Sequence, residues 1–180
     1  MTMHKDADTE NRTEDGLGDF KRSFAPIEGP EVRLLILGSM PGDASLRAKQ
    51  YYAHPQNRFW PLMAGLLSCG LPTGYAAKEA LLIDHKIALW DVAMLARRPG
   101  SMDSAMQEEV PNAIESLLER HPELRMVAFN GKKAEQLYNR FFERKPGLHY
   151  LYLPSTSPAN ASFGKERLLA CWKAVLASLD

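Results

Sequence analysis

Four short runs of apolar residues alternate with polar, helix-like segments along the chain. The runs are "VRLLIL" (32–37), "KIALWDV" (86–92), "LRMVAF" (124–129) and "HYLYL" (149–153). Each run is apolar through its middle rather than alternating with polar residues, which is typical of parallel strands that are covered on both faces. The pattern therefore predicts four buried strands.

Segments of helical period separate or follow these runs. They are "NRFWPLMAGLLSC" (57–69), "AAKEALLID" (76–84), "PNAIESLLERH" (111–121), "GKKAEQLYNRFFER" (131–144) and "FGKERLLACWKAVLASL" (163–179). Strands that alternate with helices predict right-handed crossovers and a parallel sheet with helices on both sides. We therefore predict an α/β protein, a three-layer α/β/α sandwich with a central parallel sheet of about four strands.

The length of 180 residues fits one domain with one core. Residues 1–22 are polar and acidic, and we expect them to form a disordered N-terminal tail ahead of a single domain at 23–180. The start of the chain resembles neither a secretory signal nor a transit peptide, and no apolar run reaches membrane-spanning length. A cytoplasmic monomer without membrane contact is the expectation.

Charge and cysteine content limit the chemistry. The chain has 22 Lys and Arg against 22 Asp and Glu, which disfavours coating of nucleic acid by bulk charge but leaves local binding by loops open. Cys69 and Cys171 lie in apolar helical segments and are predicted to be buried, reduced thiols. The five histidines have no ligand-like spacing, so neither a metal nor another cofactor is expected.

The loops after the strands are the candidate site, because open α/β sheets bind ligands beyond the carboxyl ends of their strands. The first, "GSMPGD" (38–43), is a glycine-rich turn whose amides could face an anion or a carbonyl group, or could serve structure alone. In "YYAHPQNRFW" (51–60), Asn57 either caps a helix or takes part in chemistry, while Phe59 and Trp60 are expected in the core.

The last loop, "PSTSPAN" (154–160), offers hydroxyl groups and amides that suit phosphate oxygens. A serine hydrolase using Ser155 or Ser157 is the competing interpretation. The absence of a G-x-S-x-G motif disfavours it.

Taken in order, "LGSMPG", "YYAHPQNRFW", "LWDV", "FNGKKA" and "LPSTSPAN" resemble the uracil-DNA glycosylase superfamily over about residues 31–178. The hypoxanthine-DNA glycosylase branch is the most similar one. The resemblance implies an enzyme that flips a damaged base out of DNA and hydrolyses its N-glycosidic bond. It also implies that DNA carrying such a base is the partner.

The resemblance also assigns roles to residues. It places the attacking water and the base against the first loop, a stacking ring at Tyr52 and a base-reading side chain at Asp91. The last loop would grip phosphates, and Asn160 is a candidate to enter the gap in the duplex. The base-binding residues so implied are Gly38, Ser39, Met40, Pro41, Gly42, Tyr52 and Asp91, and the DNA-binding residues are Ser155, Thr156, Ser157 and Asn160.

Two departures from the superfamily bear on activity. Met40 stands where many relatives have a water-orienting Asp or Asn, and Leu153 stands where uracil-specific relatives have a His. Both favour hypoxanthine over uracil as the substrate base. They also support an alternative, a protein that recognises lesions in DNA with little catalysis.

Asn57 and Asp43 are then the candidates for holding the attacking water, with a backbone carbonyl as the third possibility. No lysine stands within the loop motifs as a nucleophile, which favours direct attack by water without strand cleavage. Further phosphate contacts are expected from basic residues in the loops and at helix starts. These are Lys132, at the start of a helix whose free amides also favour an anion, together with Arg97, Arg98, Lys133, Lys165 and Arg167.

Overall fold

The computed structural model describes residues 19–180. The strands of this part of the chain are β1 (Phe20–Arg22), β2 (Leu34–Gly38), β3 (Ile87–Asp91), β4 (Ala93–Arg97), β5 (Gln107–Pro111), β6 (Met126–Asn130) and β7 (His149–Leu153). Four of them form a parallel sheet in the order β3-β2-β6-β7. The four predicted strands are these four, and the predicted parallel sheet is confirmed.

The middle of this sheet is the centre of the core. All residues of β2 and β3 are buried, which explains why both strands are almost wholly apolar in sequence. Their register places Gly38 beside Asp91 at the carboxyl edge. The polar ends of β2 and β3 thus lie together where the apolar strands stop.

Helices flank the sheet. They are α1 (Asp43–Ala48), α2 (Phe59–Leu66), α3 (Tyr75–Asp84), α4 (Ile114–Arg120), α5 (Lys132–Phe141) and α6 (Lys165–Trp172). Phe59 and Trp60 are buried in the core, as predicted. The short helix α1 was not predicted, and the last helical segment changes to a 3-10 helix at Lys173–Ser178. The three-layer α/β/α sandwich is confirmed.

A second sheet was not predicted from the sequence. It is antiparallel, with the order β1-β4-β5. Phe20–Arg22 pairs with β4, so the predicted tail of residues 1–22 is wrong for its last three residues. A three-residue strand carries too little pattern to be recognised alone, because its partner in the sheet determines it. Residues 1–18 of the predicted tail lie outside the described residues.

The two thiols correct another prediction. Cys69 and Cys171 are free, but both are exposed rather than buried. Cys69 lies just beyond the end of α2, and Cys171 lies on an outward-facing position of α6. An apolar neighbourhood in sequence did not reveal which side of the helix each thiol occupies. Between residues 19 and 180, no helix combines the length and apolar character needed to cross a lipid bilayer.

Candidate active site

A cleft of about 470 Å³ opens at the carboxyl edge of the parallel sheet. Gly38, Asp91 and Asn130, the last residues of β2, β3 and β6, contribute to its lining. The chain leaves β2 toward β3 on one side, while β6 lies on the other side of β2. Such a change of direction is where open α/β sheets bind ligands.

The predicted site residues converge on this cleft although they come from four separate segments of the chain. Lys132 does not line it and lies exposed at the first position of α5. The predicted residues that do line it are Gly38, Ser39, Met40, Pro41, Gly42, Asp43, Tyr52, Asn57, Asp91, Ser155, Thr156, Ser157 and Asn160.

Asp91 carries a buried carboxyl group among these residues. Asp91 is 3% exposed, and its Oδ2 atom is buried without a hydrogen-bond partner in the described part of the chain. Burial raises the pKa of Asp91 from 3.8 to about 8; the guanidinium of Arg98 acts in the opposite direction and the charge of Asp103 adds to the rise. The carboxyl group is therefore largely protonated at neutral pH.

Tyr52 belongs to a hydrogen-bonded group that crosses the cleft. Asn130 Nδ2 donates to the Tyr52 hydroxyl oxygen at 2.9 Å and to Thr156 Oγ1 at 3.0 Å. The Thr156 amide donates back to Asn130 Oδ1 at 2.9 Å. Phe59 covers one face of the Tyr52 ring, with 4.3 Å between ring centroids. The network fixes the Tyr52 hydroxyl and leaves at most one ring face for stacking.

Sequence reasoning missed Asn130, which ends the strand of "AFNGKKA" and was read only as the start of a helix. A polar residue that closes an otherwise apolar strand is a signal that could have found it, since Asp91 occupies the equivalent place in β3.

Arg98 holds the first loop (38–43) in place by a hydrogen bond to its backbone. This residue was expected to contact phosphate, but it is 1% exposed and its guanidinium donates to the carbonyl oxygen of Pro41. It also lies 3.7 Å from Asp103 Oδ1, to which Ser39 Oγ donates at 2.7 Å. The expected phosphate contact of Arg98 is therefore wrong. Arg98 shapes the loop instead.

Asp43 is held by a residue from the predicted tail. Lys21 forms an ion pair with the Asp43 carboxylate, and this hydrogen bond is the main cause that lowers the pKa of Asp43. The Asp43 amide donates to Ser101 Oγ at 2.9 Å. Asp43 is thus an ionised acceptor on the cleft wall, with part of its capacity used by Lys21. No pattern near Lys21 signalled this contact.

Asn57 lies at the start of α2 and lines the cleft. Its Oδ1 accepts the amide N–H of Phe59 at 2.9 Å, but the N-cap residue of α2 is Arg58, so the expected capping role is wrong and the bond is a local turn just before the helix. Within residues 19–180, its Nδ2 group has no hydrogen-bond partner. The hydrogen bond to Phe59 holds the side chain in place and leaves the Nδ2 group for a ligand or a water molecule.

Arg58 organises the last loop. Its guanidinium donates to the carbonyl oxygens of Ser157 at 2.8 Å and Asn160 at 3.0 Å, and also to that of Phe163. Its own amide donates to the carbonyl oxygen of Thr156 at 3.1 Å. Sequence reasoning passed over Arg58 because the adjacent Asn57 attracted the interpretation. No sequence pattern indicates that one arginine will bond several backbone carbonyl groups of a loop about 100 positions away.

The side chain of Asn160 is used within the same loop. Its Nδ2 donates to the carbonyl oxygen of Ser155 at 3.0 Å, and its Oδ1 accepts from Ser162 Oγ at 3.1 Å. Entry into a DNA duplex would break both hydrogen bonds. In the hydrogen bonds of residues 19–180, no histidine bonds the hydroxyl group of Ser155 or Ser157, as a serine hydrolase would need.

The remaining basic candidates are distributed around the fold. Lys133 is paired with Glu109 at 3.0 Å, whereas Lys165 and Arg167 are exposed at the start of α6. Among residues 19–180, no three His, Cys, Asp or Glu side chains lie close enough together to hold a metal ion.

The parallel sheet, its switch point and the polar cleft define an α/β protein that binds its ligand between loops at the carboxyl edge. The model of the uracil DNA glycosylase superfamily matches residues 26–179, and the chain belongs to this superfamily.

One similar protein is a hypoxanthine DNA glycosylase of Methanosarcina acetivorans, which is 39% identical over 86% of this chain and 97% of that protein. Another is a hypoxanthine DNA glycosylase of Methanosarcina barkeri, which is 37% identical over 82% of this chain and 92% of that protein. A similar solved structure is the solution NMR structure of a protein from Methanosarcina acetivorans that is provisionally named a uracil DNA glycosylase. It superposes on this chain with a TM-score of 0.75 and 37% sequence identity, and the match covers 89% of this chain and 98% of that one.

Proposed function

We propose that the protein is a monofunctional DNA glycosylase that removes hypoxanthine from a nucleotide flipped out of DNA, with uracil as a second substrate. The observation that carries the proposal is the convergence of thirteen predicted site residues on one cleft. The similarity to two hypoxanthine DNA glycosylases along nearly their whole length supports the choice of base. A cleft of about 470 Å³ is in the range of small-molecule sites and suits a nucleoside.

Direct attack by water fits the composition of the cleft. Within the described residues, no lysine is among those that line it. A lysine would be needed to form a covalent imine with the sugar and to cut the strand. The proposed reaction therefore adds water to C1′ of the sugar and releases the free base, leaving an abasic site.

Asn57 is proposed to hold the attacking water. Its side chain is fixed by the hydrogen bond to Phe59 and keeps its Nδ2 group unpaired within residues 19–180. Asp43 is the second candidate, since its carboxylate is ionised and lines the same cleft. The pairing of Asp43 with Lys21 makes it the weaker one.

The other residues are proposed to bind the DNA. The first loop and Asp91 would contact the flipped base, with Asp91 available to accept a ring N–H. The exposed face or the hydroxyl edge of Tyr52 would complete this contact. Phosphates would meet the last loop and the start of α5, through Ser155, Ser157, Asn160 and Lys132. Thr156, which the sequence also suggested as a DNA contact, is fully buried and bonded to Asn130, so it supports the loop and does not reach a phosphate.

The test uses labelled duplexes that carry one hypoxanthine, uracil, xanthine or mismatched thymine. We expect strand breaks at hypoxanthine only after alkali treatment, because the enzyme leaves an intact backbone at an abasic site. Breaks without alkali would refute the monofunctional reaction. Asn57→Ala should lower excision at least 100-fold while binding to lesion DNA persists, and Asn139→Ala, on the surface of α5, serves as the control for loss of a side-chain amide.

A second candidate, a lesion-recognition protein with little catalysis, is supported by Met40. This side chain is buried at the loop where many relatives carry an acidic or amide group. Lesion-specific binding without release of any base, from duplex or single strand, would favour this candidate over the enzyme.

A further inference from the structure

Two oxygen atoms lie against the backbone of Gly38 at the carboxyl end of β2. A Cβ atom placed on Gly38 would lie 2.5 Å from Asp91 Oδ1 and 3.0 Å from the Tyr52 hydroxyl oxygen. All three residues line the cleft. The two oxygen atoms are therefore close enough to each other for one ligand oxygen atom in the cleft to lie within hydrogen-bond distance of both.

The two groups can both act as donors at this position. The Tyr52 hydroxyl oxygen already accepts a hydrogen bond from Asn130 Nδ2, so its own proton is available to another acceptor. Burial holds the pKa of Tyr52 well above its usual value, so the phenol keeps that proton. Asp91 likewise supplies a proton when its carboxyl group is neutral.

The groups that face Asp91 favour its neutral form. Arg98 is the cation whose charge acts on it, but that guanidinium is engaged by Asp103 and by the carbonyl oxygen of Pro41. Asp103 repels a second negative charge, and burial raises the pKa of Tyr51 and Tyr52, so these neighbouring phenols stay neutral. A buried carboxylate without a bonded donor is costly, which agrees with a pKa of about 8.

We propose that the carboxyl group of Asp91 and the hydroxyl group of Tyr52 together donate hydrogen bonds to the exocyclic carbonyl oxygen of the departing base. This inference rests on the proposed function and adds the recognised chemical group, a ring carbonyl next to a ring N–H. Cleavage of the glycosidic bond places negative charge on the base, part of it on this oxygen. Preorganised donors stabilise such charge in the transition state.

A neutral acid at this position would discriminate against adenine. A carboxylate accepts hydrogen bonds only, so it would attract the amino group of adenine and repel the carbonyl oxygen of hypoxanthine. A protonated carboxyl group donates a hydrogen bond, so it would attract the carbonyl oxygen of hypoxanthine and not the amino group of adenine.

The first experiment examines the protein without DNA. The carbon NMR signal of the Asp91 side chain is followed against pH, with Asp91→Asn for assignment and the exposed Asp84 as internal reference. We expect Asp91 to remain protonated at pH 7. An Asp91 that is ionised at pH 7 would overturn the inference.

The second experiment measures single-turnover excision of hypoxanthine from DNA between pH 6 and 10. We expect Asp91→Ala to lower the excision rate at least 100-fold. Asp91→Asn, whose amide still donates, should be at least tenfold faster than Asp91→Ala. Its rate should also lack the fall that we expect of the wild type above about pH 8. Tyr52→Phe should lose at least fivefold, and Tyr152→Phe on the exposed face of β7 should lose nothing. An Asp91→Asn variant as inactive as Asp91→Ala would refute the donor role.

Binding of free hypoxanthine separates this inference from the proposed reaction. We expect the free base to bind the wild type and Asp91→Asn within fivefold of each other, and Asp91→Ala at least tenfold more weakly. That result would support the donor pair even if the wild type released no base from DNA, an outcome that would refute the proposed glycosylase alone. Equal binding by all three proteins would refute the donor pair.

Discussion

Replacement of Arg58 by alanine tests how the last loop is held against the cleft. The guanidinium donates to the carbonyl oxygens of Ser157, Asn160 and Phe163, and over longer distances of 3.4 and 3.5 Å to those of Thr156 and Ser155. A hydrogen bond from a charged donor contributes about 1.5–3 kcal/mol, but bonds that share one side chain are not additive. The loop is partly exposed, so water replaces some of what is lost, and we expect Arg58→Ala to lower the free energy of unfolding by about 3 kcal/mol.

Thermal unfolding provides the first readout, because a loss of this size in a chain of this length lowers the Tm by roughly 6–12 °C. Excision and DNA binding provide the second, since the displaced loop carries the proposed phosphate contacts. Arg58→Lys should lie between wild type and Arg58→Ala, because an ammonium group lacks the planar fork that reaches several carbonyls.

Arg167→Ala is the matched control for loss of one positive charge near the same loop. Arg167 is exposed, and its guanidinium lies 4.3 Å from the ring centroid of Phe163. Its removal should cost about 0.5–1 kcal/mol. The account of Arg58 would be refuted if both alanine variants had the same Tm and bound lesion DNA equally well.

Three further predictions concern the cleft. Because the pKa of Asp91 in the folded protein is raised to about 8, its contribution to stability is fully present below about pH 4 and is lost as the pH rises through about 8. Asp91→Asn should therefore gain about 4 kcal/mol relative to wild type between pH 5 and 9 in urea unfolding, and a constant difference would contradict the raised pKa. Gly38→Ala should lower stability by about 1–3 kcal/mol and excision at least tenfold, since its Cβ would lie 2.5 Å from Asp91 Oδ1. Gly42→Ala, whose Cβ would meet only Ser101 at 3.5 Å, is the control, and equal effects in calorimetry and excision would argue against the crowding. Met102 is 59% exposed beside the cleft and offers an apolar side chain to a distorted duplex. Met102→Ala should therefore reduce excision from duplex DNA several-fold but leave excision from single-stranded DNA unchanged. Equal rates of wild type and Met102→Ala on the duplex would exclude this contact.

The parallel sheet was predictable because its signal is local. A buried strand must be apolar on both faces, so β2 and β3 appear as continuous apolar runs whatever they pair with. The antiparallel sheet behaves differently. Its strand β1 is three residues long and β5 is largely exposed, so neither shows a pattern before a partner strand is present.

The candidate site divides in the same manner. Glycine, proline, asparagine and hydroxyl residues mark loops through their own conformational preferences, and this is why Gly38, Asn57 and Thr156 were found from the sequence. The supports of these loops come from distant segments. Lys21 meets Asp43 across 22 positions, and Arg98 meets Pro41 across 57.

By itself, the sequence determined the fold class, the order of the loop motifs and the likeness to the uracil DNA glycosylase superfamily. Only the tertiary structure decided which charges are free and which are engaged, because burial and pairing depend on neighbours far away in the chain. Arg98 became a buried support rather than a phosphate ligand. Asp91 became a largely neutral acid because folding removes water from its carboxyl group, an effect that no local pattern of residues encodes.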